Sequence, residues 1–190
     1  MKKLFLFIVS ISISVASFAQ TKWTTDPMHS FVNFSVKHSG ISFVDGTFKK
    51  FEGTISASKA DLTDAKIQFS ADVASISTNV EMRDNHLKSD DFFSAEKFPK
   101  MTFESTSFKK TQKNNYILTG KLTIKDVTKE VRFNVVYGGT AKDQQGNTKA
   151  GFLATTKINR LDYNVSYDPT GAGIAKDVNI TLNLQFAQAK

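Results

Sequence analysis

Apolar and polar residues alternate along most of this chain with a period of two. Tyr116, Leu118, Gly120, Leu122 and Ile124 share one parity, while Ile117, Thr119, Lys121 and Thr123 fall between them. Beyond Lys125-Asp126 the pattern resumes with Val131, Phe133, Val135 and Tyr137. Successive side chains of a strand point to opposite faces, so each run has one greasy face and one wet face. Two such runs joined by a two-residue turn read as an antiparallel hairpin, with Asp126 as the residue that tolerates left-handed backbone. A lone hairpin is marginal in water, so this one requires more sheet beside it.

The rest of the chain supplies that sheet. Alternating runs carry Val32, Phe34 and Val36; Ile67, Phe69 and Ala71; Met101, Phe103 and Ser105; Phe152, Ala154, Thr156 and Ile158; and Val178 through Phe186. Shorter runs at 44–48 and 51–57 contain Gly46 and Gly53, where a bend or bulge is expected. The periodicity changes once. Thr78 and Glu81 are spaced as a capping box, and Val80, Arg83, Asp84 and Leu87 follow at helical spacing. Asp90-Asp91-Phe92-Phe93 predicts a further short helical turn. The result is an all-β fold of about eight or nine strands with one short helical segment. One-sided alternation marks antiparallel sheet, and closing it into a barrel removes exposed edges. A two-sheet sandwich satisfies the same pattern and is the alternative.

Residues 1–19 do not belong to this pattern. Lys2 and Lys3 precede an apolar run from Leu4 to Val15, which ends in Ser17-Phe18-Ala19. That is the layout of a cleaved secretory signal peptide, and the run is short of the roughly 20 residues a spanning anchor needs. The expectation is a leader at 1–19, one exported domain at 20–190, and a location in the periplasm. The formal charge of +7 falls to +5 without Lys2 and Lys3. The remaining lysines are scattered, which fits a solvated exterior with at most transient contact with a membrane surface, and export argues against a nucleic-acid partner. With no cysteine in 190 residues, the core alone must hold the fold.

Catalytic signatures are missing from the sequence: it has no GxSxG, HExxH, phosphate-binding or dinucleotide-binding loop. A metal would have to draw on His29, His38 and His86, and an odd separation puts the first two on opposite strand faces. The expectation is therefore a non-enzyme with no metal and no cofactor. Arg83, Asp84 and His86 form the densest polar cluster and read either as a polar cavity mouth or as a solvated helix face. Fourteen of the 17 phenylalanines lie beyond the leader. An eight-stranded barrel is just wide enough to be filled by side chains or to hold one slender ligand, and the pattern permits both. If a pocket exists, its candidate lining is Phe34, Val36, Phe69, Phe103, Leu118, Leu122, Phe133, Val135, Phe152, Ile180 and Leu182.

Several blocks together resemble the YceI-like family: Asp26-Pro27-Met28-His29-Ser30-Phe31-Val32-Asn33-Phe34, Gly46-Thr47-Phe48 with Phe51-Glu52-Gly53, Arg83 through Phe92, Phe98 through Phe103, and Leu122 through Lys129. The resemblance runs from about Trp23 to Phe186. It implies an extended lipocalin-like barrel in the periplasm, an apolar pocket for a polyisoprenoid such as a quinone or polyprenyl phosphate, and homodimers. The chain departs from the family pattern at Asp126, where a turn Gly is common, and at Asn164, where Gly usually follows an aromatic. The leading functional expectation is a carrier that sequesters an isoprenoid tail, with Arg83 meeting a phosphate head. An exported stress-related or surface-interaction protein with a filled barrel and no ligand is the second, and a hydrolase a distant third.

Overall fold

The structure is a computed structural model that describes residues 20–189; the expected leader at 1–19 lies outside the described residues. The strands are β1 (Thr21–Thr25), β2 (Phe31–His38), β3 (Ser42–Phe48), β4 (Phe51–Ala57), β5 (Lys66–Asp72), β6 (Ile76–Ser77), β7 (Lys100–Gln112), β8 (Asn115–Ile124), β9 (Val127–Lys142), β10 (Thr148–Asn159) and β11 (Ile174–Gln188). The helix α1 (Glu81–Lys88) lies between β6 and β7.

These segments make eight staves of a closed antiparallel barrel. β1 and β2 run end to end along β11, with Thr25 opposite Phe186 and Phe31 opposite Asn183. β4 pairs with β1 while β3 pairs with β2, so β3 and β4 form one bent stave. β5 and β6 form the next, against β4 and β3. β7, β8, β9, β10 and β11 complete the ring. The first stave breaks at Pro27, which lacks a ladder N–H; the Asp26 carboxylate accepts from the Met28 N–H and caps the short 3-10 turn Pro27–His29.

The alternation read from the sequence is literal in β8: Tyr116, Leu118, Gly120, Leu122 and Ile124 are buried, and the residues between them are not. Four details differ from expectation. Lys125, not Asp126, carries the positive φ (54°) in the β8–β9 turn. Pairing runs through Gly46 and Gly53 without a register shift, so neither marks a bulge. Asp90, Asp91, Phe92 and Phe93 form hydrogen-bonded turns, not helix. The capping box does not form either: Val80 occupies the N-cap with no side-chain bond, and Thr78 donates both its N–H (2.7 Å) and its hydroxyl to Asp84 Oδ1. The carboxylate that reaches back comes from Asp84, one turn into the helix, in place of Glu81.

β6 stops after two residues, and α1 with the turns behind it carries the chain across to β7. Leu87, Phe92 and Phe93 of this segment join the main core. One end of the barrel thus gathers α1, the β8–β9 turn and the 160–173 loop, and is called the helix end below.

Candidate functional site

The barrel encloses an elongated apolar cavity of about 210 Å³. On β11 its lining runs from Ile174 to Phe186, twelve residue steps or about 40 Å of strand. All eleven residues put forward from the sequence lie on this lining: Phe34 and Val36 from β2, Phe69 from β5, Phe103 from β7, Leu118 and Leu122 from β8, Phe133 and Val135 from β9, Phe152 from β10, and Ile180 and Leu182 from β11. They meet because each occupies the inward parity of its strand. Ile180 and Leu182 remain half-exposed although they point inward, because the space before them is not filled by protein.

The end away from the helix is filled by rings. Phe108 stacks on Tyr116 with centroids 4.5 Å apart, Tyr137 meets the edge of Tyr116, Phe152 stacks on Tyr137 at 5.1 Å, and Phe186 closes the series edge-on to Phe152. Such offset and edge-to-face pairs add to the stability gained by burial. The Tyr116 hydroxyl donates to Asp61 O (2.9 Å), which satisfies the one polar atom that ring buries. Burial also pushes the Tyr116 phenol above its usual pKa.

The helix end is built differently. Arg83 donates from Nε to Thr78 Oγ1 (2.7 Å) and from Nη2 to Thr78 O (3.0 Å), and Asp84 accepts from the same threonine. His86 bonds Asp91 Oδ2 (2.9 Å) and packs edge-on to Phe92 and Tyr167. None of these three lies on the cavity lining. Arg83 and Asp84 tie the start of α1 to the strand before it, and His86 ties its end to the 160–173 loop.

The charged group that does line the cavity is Arg160, 5% exposed. All five of its N–H groups donate to backbone carbonyls: Nε to Ala175, Nη1 to Val165 and Tyr167, Nη2 to Asp168 and Ile174. The guanidinium gathers the 160–173 loop around itself, and its burial lowers its pKa. Asp168 secures the far side of that loop, its carboxylate accepting from the Thr170 hydroxyl and the Ile174 and Gly173 N–H groups. Those bonds hold it well below the usual carboxylate range. Tyr163, buried beside Arg160 in the lining, has its phenol pushed up to about 12 by desolvation.

Sequence reasoning passed over Arg160, although the signal was there: it shares the inward parity of Phe152, Ala154 and Ile158. Leu87, Phe93, Tyr163 and Val165 were missed because they come from α1, a 3-10 turn and the segments beside them, where the alternation of strands says nothing. Among the described residues no group of three or more His, Cys, Asp or Glu is placed to hold a metal ion.

Comparison with known proteins agrees with this architecture. A UPF0312 protein of Photorhabdus laumondii is 37% identical over 158 residues, covering 83% of this chain and 82% of its own. The crystal structure of Burkholderia cenocepacia BcnA superposes with a TM-score of 0.75 at 27% identity, over 85% of this chain and 98% of that one. A polyisoprenoid-binding domain from Saccharophagus degradans, implicated in plant cell wall breakdown, shares the fold with a TM-score of 0.65 at 15% identity, over 88% of this chain and 98% of that one. The YceI-like domain model matches residues 23–186. From Trp23 to Phe186, then, the chain belongs to the YceI-like domain family.

Proposed function

We propose that this protein is a periplasmic carrier that encloses the tail of a polyisoprenoid lipid in its barrel. The observation that carries the reading is the cavity: narrow, long, and apolar apart from Asn33, Thr102, the Tyr163 hydroxyl and an Arg160 whose donors are all occupied. Its elongation along β11, from Ile174 to Phe186, suits a chain better than a compact ring system. Each CH₂ taken from water contributes about 0.8 kcal/mol, so a long tail needs few polar contacts to be held. The family fold, and the relative from Saccharophagus described as polyisoprenoid-binding, support the same class of ligand.

The tail enters at the helix end, because the opposite end is occupied by packed rings. Exposed apolar side chains at the helix end, Ile41 at 89% and Met82 at 82%, suit brief contact with a bilayer during loading. Since Arg160 has no free donor, the head group, quinone or phosphate, rests outside the lining. The signal-peptide pattern at 1–19 supports export, and a family of binding domains supports carriage over catalysis.

The filled-barrel reading draws on one observation, the ring series from Phe108 to Phe186. Protein purified from the periplasm, extracted with organic solvent and weighed by native mass spectrometry separates the two. A stoichiometric isoprenoid is expected; a bare chain under conditions that preserve lipid complexes would overturn carriage.

A further inference from the structure

Three phenylalanines of the cavity wall lie against glycines on neighbouring strands. Phe34 is paired directly with Gly46, Phe69 directly with Gly53, and Phe103 sits diagonally from Gly120. A Cβ added at any of the three would approach the ring within less than 3.0 Å, nearer than real Cβ atoms come. At Gly46 the obstruction is the Phe34 ring alone; at Gly53 it is the Phe69 ring with the Thr25 methyl behind it; at Gly120 the Glu104 carbonyl obstructs as well.

Backbone conformation does not explain Gly46 or Gly53. Neither has a positive φ, and neither interrupts the ladder. Glycine weakens a strand interior, and its recurring use there marks a close approach. Here the approaching group is a ring that lies down along the barrel wall in the space a side chain would fill. Inward side chains on a strand have two places to go, the wall or the lumen. A ring denied its recess must therefore stand across the cavity.

We infer that Gly46 and Gly53 set the bore of the cavity by housing Phe34 and Phe69, and that they thereby admit a methyl-branched chain that a narrower bore rejects. This deepens the carrier reading and rests on it. The test measures retention of two probes, geranylgeraniol and the straight-chain alcohol of equal carbon count, by wild type, Gly46→Ala and Gly53→Ala. Each alanine variant is expected to lower the branched-to-straight retention ratio by about tenfold or more, the size of a modest overpacking penalty. Adding Phe34→Leu to Gly46→Ala removes the ring and is expected to restore the ratio. Folding is checked by thermal melting and near-ultraviolet circular dichroism. Where an alanine variant fails to fold, Phe34→Trp, which enlarges the ring over an unchanged Gly46, reads the same bore and is expected to lower the ratio too. An unchanged ratio in a folded variant overturns the inference and leaves carriage intact. A wild type that retains neither probe overturns carriage and the inference with it.

Discussion

The two ends of this barrel are closed by opposite means. At one end Phe108, Tyr116, Tyr137, Phe152 and Phe186 pack ring on ring, all carried by paired strands, with Phe186 2% exposed. At the other, α1 has no buried residue, and the closing segments combine a few buried side chains, Phe92, Tyr163 and Val165, with side-chain hydrogen bonds through Thr78, Arg160 and Asp168. Close-packed rings resist opening because every displaced ring loses many small contacts together. A hydrogen bond contributes about 0.5–1.5 kcal/mol net, less than a packed ring, and its groups can bond water instead once the segment opens. One end is a plug and the other a door, and the difference follows from which chemistry each segment has available.

The contrast can be broken by mutation. Phe186→Ala is expected to have the largest effect, a loss of about 3–5 kcal/mol in urea unfolding, because a buried ring is replaced by a cavity. Arg160→Met should cost about 2–3 kcal/mol, since buried carbonyls lose their donor, and amide exchange should quicken within 160–173 and not at Tyr116 or Tyr137. Thr78→Val removes the hydroxyl shared by Arg83 and Asp84 and is expected to cost about 1 kcal/mol while speeding probe release. If Phe186→Ala destabilises no more than Thr78→Val, the plug is no firmer than the door. The smallest effect is pH-dependent. The Asp168 pKa is lowered from its ordinary 3.8, so the stability it adds is present above that pH and lost as pH falls below it. Asp168→Asn keeps a residue type that tolerates φ of +50° there. It should therefore melt below wild type at neutral pH and converge with it in acid.

Most of the barrel was legible in the residues because a period of two leaves no freedom once one face is buried. Leu118, Leu122, Phe133 and Val135 had to point the same way as their neighbours, although the pattern alone permitted a filled interior as well as an open one. The staves made of two strands were not legible, since nothing local says that β1 and β2 share one partner. Nor was the helix end. Thr78 with Glu81 carried the spacing of a capping box, but Asp84 could reach the same N–H and did, and a spacing rule cannot rank two carboxylates. Gly46 and Gly53 were read as bends because a sequence shows the missing side chain and not the ring that replaces it.

The β8–β9 turn and the 160–173 loop meet at Asp126 and Asn164. Asn164, in left-handed backbone, donates from Nδ2 to Asp126 Oδ1 (3.1 Å), and Lys125 donates to the Asn164 carbonyl (2.9 Å). A glycine at 126 would strip Asn164 of its acceptor, and a glycine at 164 would leave Asp126 without its donor. Asp126 and Asn164 therefore act as one clasp between turn and loop, and losing either side chain is expected to free the other.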